Sequence, residues 1–212
     1  MNAIPWTYEP RPDTRTTNVR VGVWLFLASE AMFFGSLFSG YVLLRTGAAS
    51  WPDASTFLDL PLALVNTALL VLASGLIASG PPPKPHAPAE AGGLTGGGLA
   101  HRISEGPVFS RGKLYLAAAL GVAFLAVKAF DYRSQLDAGL HPATNTLLAC
   151  WFALTAVHAL HVAGGVGVNL WLAIRLERMA PAQAMERLYA ARLYWFFVDT
   201  VWIVILIAFY TS

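Results

Sequence analysis

Five stretches of the chain carry long apolar runs, at about 21–44, 58–79, 112–130, 143–174 and 190–210. Each is close to or beyond the roughly 20 apolar residues that a helix needs to cross a hydrocarbon core of about 30 Å. Thr17 or Asn18 can cap the first, and Asp59-Leu60-Pro61 opens the second with proline in its first turn. The pattern predicts an all-α, polytopic bundle of five transmembrane helices. Residues 1–19 hold Glu9, Arg11, Asp13 and Arg15 with three prolines and no apolar run, so they read as a polar leader and not as a signal peptide. Between the second and third spans, 80–111 contains Pro81-Pro82-Pro83, Gly92-Gly93 and Gly96-Gly97-Gly98, a linker stiff at its start and loose afterwards.

Composition agrees with lipid as the main solvent. Of 212 residues, 56% are hydrophobic and 12% charged, where a soluble domain carries about 25% charged residues. An ordinary water-soluble enzyme and a disordered chain are both excluded. A net charge of +2 with no dense basic run excludes nucleic-acid binding, and a single cysteine, Cys150, excludes a disulfide framework and any cysteine-based zinc site.

Charge also sets orientation. Arg11, Arg15 and Arg20 precede the first span; Lys84, Arg102, Arg111 and Lys113 lie around the linker; Arg175, Arg178, Arg187 and Arg192 join the last two spans. Those eleven of fourteen bases fall on one side, leaving Arg45, Lys128 and Arg133. The positive-inside rule places the N-terminus in the cytoplasm and Ser212 outside.

Ionisable groups inside a span are costly and need a partner or a purpose. Glu30 and Asp199 each lie about ten residues into spans rising from the same face, and His158 and His161 lie near the middle of the fourth span. At about 1.5 Å per residue all four occupy one layer near the midplane, where their side chains could meet. Desolvation disfavours a charged Glu30, which is expected protonated or sharing a hydrogen bond with a histidine. A proton-linked or conformational site and a satisfied polar network that fixes helix register both fit this layer.

No metal or redox centre is expected. His158 and His161, three apart on one helix, cannot ligate both sides of one haem, and no other span contains a histidine. Met32 and Cys150 are poor further ligands, and His86 and His101 in the linker lack a third. The small-xxx-small pairs Gly35/Ser39 and Ser36/Gly40, with Gly164 and Gly165 in span four, are expected to let helices approach closely. Asn66 and Thr67 are expected to hydrogen-bond across helices. Lys128 and Asp131 read as a local ion pair at the outer end of span three, beside Tyr132 in an interfacial aromatic belt that includes Trp151 and Trp195.

Several of these segments share a resemblance. Residues 22–34, GVWLFLASEAMFF, look like the opening signature of subunit III of haem-copper oxidases, of which cytochrome c oxidase is one. Leu64-Val65-Asn66-Thr67 with Leu72-Ala73-Ser74-Gly75, His158-Ala159-Leu160-His161-Val162 with Gly165, and residues 194–202, YWFFVDTVW, are similar to that family's later helices in the same order. Lys128-Ala129-Phe130-Asp131-Tyr132 matches a Q-x-x-E-Y/W pattern loosely. The resemblance covers about 20–210 apart from the linker. It departs in lacking the first two of the seven spans that many members have, which form one arm of a lipid cleft, and in placing Phe196 where a histidine is usual.

The resemblance implies a non-catalytic subunit of a proton-pumping terminal oxidase, packed against subunit I with subunit II nearby, within a larger respiratory supercomplex in some settings. It implies haem and copper in those partners and none here, bound phospholipid, support of proton uptake, and residence in a bacterial inner membrane. Glu30 matches the family's buried carboxylate, His158 and His161 its paired histidines, and Asp199 the acid of its last helix. A quinol oxidase subunit III or an accessory protein of nitric oxide reductase would share these helices. Ser29-Glu30 favours the cytochrome c type. From other classes, a proton-coupled transporter built on Glu30, His161 and Asp199 and a purely structural assembly subunit are the rivals; the lack of an internal repeat counts against the transporter.

Overall fold

The computed structural model describes residues 16–79 and 110–210, so most of the leader and of the linker, with His86 and His101, lies outside the described residues. Those residues form five long helices and no strand: α1 Asn18–Gly47, α2 Leu60–Ala78, α3 Arg111–Asp137, α4 Thr146–Arg175 and α5 Pro181–Tyr210. All five are long and apolar enough to cross a membrane, and the chain is an integral membrane protein. Several helices outrun their apolar cores. α5 starts nine residues before the apolar run at 190, and α3 continues to Asp137, because hydropathy marks the depth of lipid and not the end of the hydrogen-bonded ladder.

Side chains set the ends. Thr17 accepts from the Arg20 amide at 3.3 Å, Asp59 from Leu62 at 3.1 Å and Asn145 from Leu148 at 2.8 Å, each satisfying an orphan donor of a first turn. α3 ends in a Schellman turn: Gly139 takes φ +78, Leu140 N–H donates to the Gln135 carbonyl and Gly139 N–H to that of Leu136. Between α1 and α2, Asp53 accepts from the Ser55 hydroxyl and amide at 2.8 and 2.9 Å, and those bonds hold its carboxyl below the usual carboxylate range.

α2, α3, α4 and α5 pack into a body whose core is aromatic. Trp151, Trp195, Trp202, Phe124 and Phe209 are all fully buried. This corrects the expectation that Trp151 and Trp195 belong to interfacial belts. Trp195 stands in a notch made by Gly121 and Gly165, and its indole N–H donates to Asn169 Oδ1 at 3.2 Å. A Cβ at Gly165 would meet the Trp195 and Tyr194 rings at 3.1 Å, and one at Gly164 the Tyr194 hydroxyl at 3.3 Å.

On α1 neither small-xxx-small pair is approached by another helix among the described residues. In the Gly35/Ser39 pair, a Cβ added at Gly35 would meet nothing within 4 Å, and Ser39 is exposed. In the Ser36/Gly40 pair, the Ser36 hydroxyl donates back to carbonyls of its own helix, and a Cβ at Gly40 would again meet nothing within 4 Å. The reason is the rotation of α1. Its buried residues, Leu27, Phe34 and Tyr41, recur every seven residues, or about every two turns, along a narrow seam that faces chiefly α5. Gly35, Ser36 and Ser39 fall off that seam and are exposed.

α1 is the peripheral helix. Only 11% of its most apolar stretch is buried, against 33–39% in the others. So thin a seam leaves α1 dependent on polar contacts.

Candidate functional site

Glu30 points from α1 across to α4, where its Oε2 lies 2.9 Å from Nε2 of His161. The two side chains are 20% and 17% exposed, at the edge of the bundle and not its centre. Nδ1 of His161 lies 2.9 Å from the Val157 carbonyl one turn earlier. The Val157 carbonyl accepts from a hydrogen on Nδ1 and a Glu30 carboxylate from one on Nε2, so each neutral tautomer satisfies one of the two contacts and an imidazolium satisfies both. The ring is held from other sides as well. Phe34 meets it edge-on with centroids 5.0 Å apart, and the Tyr194 hydroxyl of α5 donates to the His161 carbonyl at 2.7 Å.

His158 and Asp199 do not join this pair. A three-residue step turns His158 about 60° around the helix axis, enough to aim it at α3 and α5. There it is fully buried, 5.7 Å from the Phe124 ring and 5.2 Å from Trp202, with neither nitrogen hydrogen-bonded among the described residues. Asp199 faces α2 beside the Ser74 hydroxyl. The expected single meeting point is therefore three separate polar positions. Near them, the Trp202 indole donates to Thr67 Oγ1 across to α2 at 2.9 Å, while Asn66 is buried with both amide atoms unpartnered among the described residues.

The Lys128–Asp131 pair also differs in setting from the expected interfacial one. Its 2.9 Å contact lies inside the bundle, with side chains only 3% and 8% exposed. The ammonium sits 4.3 Å from the Trp151 ring centroid, 5.3 Å from Tyr132 and 5.4 Å from Trp202, an aromatic cage that offers cation–π attraction on several sides. Tyr132 is fixed by Thr155: the Thr155 hydroxyl donates to the Trp151 carbonyl, so the Tyr132 hydroxyl must donate to Thr155 Oγ1 at 2.6 Å.

A fourth contact escaped the sequence. Glu186 of α5 is buried and takes both Nε and Nη2 of Arg20, at 3.0 and 2.9 Å, together with the Thr17 hydroxyl at 2.7 Å. Arg20 also lies 4.7 Å over the Tyr189 ring. The available signal was a pair of acids, Glu177 and Glu186, among the bases of the segment between the last two spans. At the opposite end of α1, Arg45 donates to the Tyr41 hydroxyl at 3.2 Å, which donates to the Ala208 carbonyl at 2.6 Å.

Between Arg20 and Glu30, α1 stands off α4 and α5 and leaves an apolar groove of about 420 Å³, lined by Val23, Phe26, Val168, Trp171, Tyr194 and Arg187 among others. That size is within the range of about 300–1,000 Å³ typical of ligand clefts. Arg187 lies 4.8 Å over the Trp171 ring, with its Nε buried and unpartnered among the described residues. Nowhere among the described residues do three metal-donor side chains of histidine, cysteine or acid converge.

No protein-family model matches the sequence. Individual proteins do. The chain is 30% identical over 202 residues to the cytochrome c oxidase subunit 3 of Thermostichus vulcanus, covering 94% of this chain and 88% of the relative. It is 31% identical over 193 residues to the probable cytochrome c oxidase subunit 3 of Nocardia farcinica, covering 89% and 85%. The cytochrome bo(3) ubiquinol oxidase subunit 3 of Pseudomonas aeruginosa is 27% identical over 201 residues, covering 91% and 84%. With this likeness running the length of a five-helix apolar bundle, the chain belongs to the haem-copper oxidase subunit III family.

Proposed function

We propose that the chain is a non-catalytic subunit of a proton-pumping terminal oxidase of the cytochrome c type. In this reading it packs against subunit I, in one complex with subunit II, and sustains proton uptake and turnover stability. The observation that carries the reading is the Glu30–His161 contact, which joins the carboxylate of the first family motif to a histidine of the third across two helices. The basic end of the bundle, where α1, α3 and α5 begin, faces the cytoplasm of a bacterial cell. Purification in mild detergent should give co-migration with haem-bearing subunits and their optical spectrum. Glu30→Gln should leave oxygen reduction largely intact and change the rate of proton uptake. A stable haem-free chain that catalyses transport by itself would overturn the reading.

The groove supports the lipid part of the proposal. Its walls suit an acyl chain, and Arg187 at one side offers a guanidinium to a lipid phosphate. Arg187→Ala should reduce the anionic phospholipid retained in native mass spectra while leaving the five-helix fold intact; unchanged lipid retention would remove this role from Arg187. The 27% identity to a ubiquinol oxidase subunit keeps a quinol oxidase as the second reading. Turnover of the intact complex with reduced cytochrome c against ubiquinol distinguishes the two.

A further inference from the structure

We propose that Asp199 marks a docking face on the α2–α5 edge of the bundle, where a transmembrane helix of a neighbouring subunit sets a basic side chain against this carboxyl group. The first observation is a charge without a counterpart. Within the long helices, Glu30 faces His161, Asp131 faces Lys128, Asp137 faces Arg133 and Glu186 faces Arg20. Asp199 lies near the middle of the last apolar run and has no such base among the described residues. Its neighbour on α2 is the Ser74 hydroxyl, a neutral group that also donates to the Val71 carbonyl at 3.1 Å. Oδ1 of Asp199 is enclosed, with no hydrogen-bond partner among the described residues. The bases at comparable depth are committed elsewhere. Lys128 and His161 hold their own acids, and His158 lies between Phe124 and Trp202. Arg192, two turns earlier on α5, donates to the Ile77 carbonyl. An acid inside a span is costly and calls for a partner.

The second observation is position. Asp199 is partly exposed, at the rim of the bundle and not in its core. Phe196 and Ile203, one turn to either side of it on α5, are 58% and 44% exposed, and Val71 across on α2 is 51% exposed. Beside them on α2, Gly75 is exposed, and a Cβ added there would meet nothing within 4 Å. The edge is thus an apolar strip with one acid set in it and a low point at Gly75 that lets a helix come close. Charge complementarity selects the occupant. Acyl chains could cover the strip but bring no donor to the acid, and lipid headgroups stay at the interface. A second copy related by a twofold axis through this face would set one Asp199 against the other. A helix carrying lysine, arginine or histidine at this depth meets both the strip and the charge.

The docking face rests on the reading of the chain as one subunit of a membrane complex, and it names the edge and the chemistry by which a neighbour is held. The test places the photo-crosslinking residue benzoylphenylalanine at position 196, irradiates native membranes and identifies the adduct by peptide mass spectrometry. The expected adduct is a transmembrane segment of another subunit that carries a lysine, arginine or histidine. Asp199→Leu should then speed loss of the chain from the detergent-solubilised complex about tenfold, the worth of one hydrogen bond to a charged group. The same variant should leave the isolated full chain as resistant to dodecyl sulfate as the wild type, or more so, because the acid it removes has an unpartnered oxygen there. Adducts with lipid alone, with a second copy of this chain, or with a span lacking any base would overturn the docking face. So would an Asp199→Leu complex held as firmly as the wild type, or an isolated chain weakened as much as the complex. A basic partner span found in a complex without haem would overturn the oxidase reading instead and leave the docking face standing.

Discussion

Replacing Asp131 by leucine should destabilise the bundle by about 3–5 kcal/mol, the cost of stranding a buried charge whose partner has been removed. Lys128 cannot reach water by extending its stem, since its side chain is 3% exposed and enclosed by Trp151, Trp202 and Tyr132. The cage attracts a cation but does not neutralise it, and cation–π contacts of this kind contribute only about 2 kcal/mol when desolvated. Lys128→Met should cost similarly by stranding the carboxylate. The double variant Lys128→Met/Asp131→Leu should recover most of the loss, because an apolar pair of like volume removes both desolvation penalties. Unfolding titrations in dodecyl sulfate, followed by tryptophan emission from Trp151 and Trp202, read all three. Equal, additive losses in the single and double variants would mean that the two residues do not form a pair in the folded chain.

The helices were legible because lipid demands long runs, and any run of about 20 apolar residues declares itself. What lipid hides is the direction in which each side chain points. In water an apolar stripe marks the inner face of a helix; in a membrane both faces are apolar, so the period carries little information. The two histidines illustrate this. Their depth was readable from position along α4, but whether His158 or His161 met Glu30 depended on a rotation of about 60°, which needs the neighbouring helices. Lys128 is the same case. A lysine near the end of an apolar run is expected to snorkel to the interface, and only the placement of Trp151 on α4 and Trp202 on α5 shows it turned inward. Gly35, Ser36, Ser39 and Gly40 show the same limit, since small residues permit close packing without naming the helix that takes it up.

The basic residues have a second task that counting could not show. α2 and α4 end where α1, α3 and α5 begin, so their last carbonyls need donors at that end. Arg192 Nε donates to the Ile77 carbonyl at 2.9 Å, Arg111 Nε to that of Ala173 at 2.8 Å, and Lys113 Nζ to the Ser79 hydroxyl at 2.9 Å. Cations at helix C-termini are also favoured by the macrodipole. Three of the bases that set orientation in the positive-inside reading thus tie α3 to α2 and α4, and α5 to α2.

Gly121→Ala should destabilise the chain by about 1–3 kcal/mol although it adds one methyl group and raises helix propensity. On α3 that methyl would sit 2.5 Å from Cγ2 of Val166 and 3.2 Å from the Trp195 ring. Neither neighbour has room to retreat. Val166 is buried on α4, and Trp195 is fixed by its bond to Asn169 and by Gly165 on its other side. α3 and α4 must therefore separate, loosening the body that carries His161. Val166→Ala removes the nearest obstructing atom, so Gly121→Ala/Val166→Ala should be more stable than Gly121→Ala alone. Gly40→Ala is the control: its Cβ meets nothing within 4 Å, and it should be neutral or stabilise by up to about 1 kcal/mol through helix propensity. The same dodecyl sulfate titration, with Trp195 emission as the local probe, ranks the three. If Gly121→Ala matches Gly40→Ala, the tight α3–α4 crossing at the indole is not the packing of the folded protein.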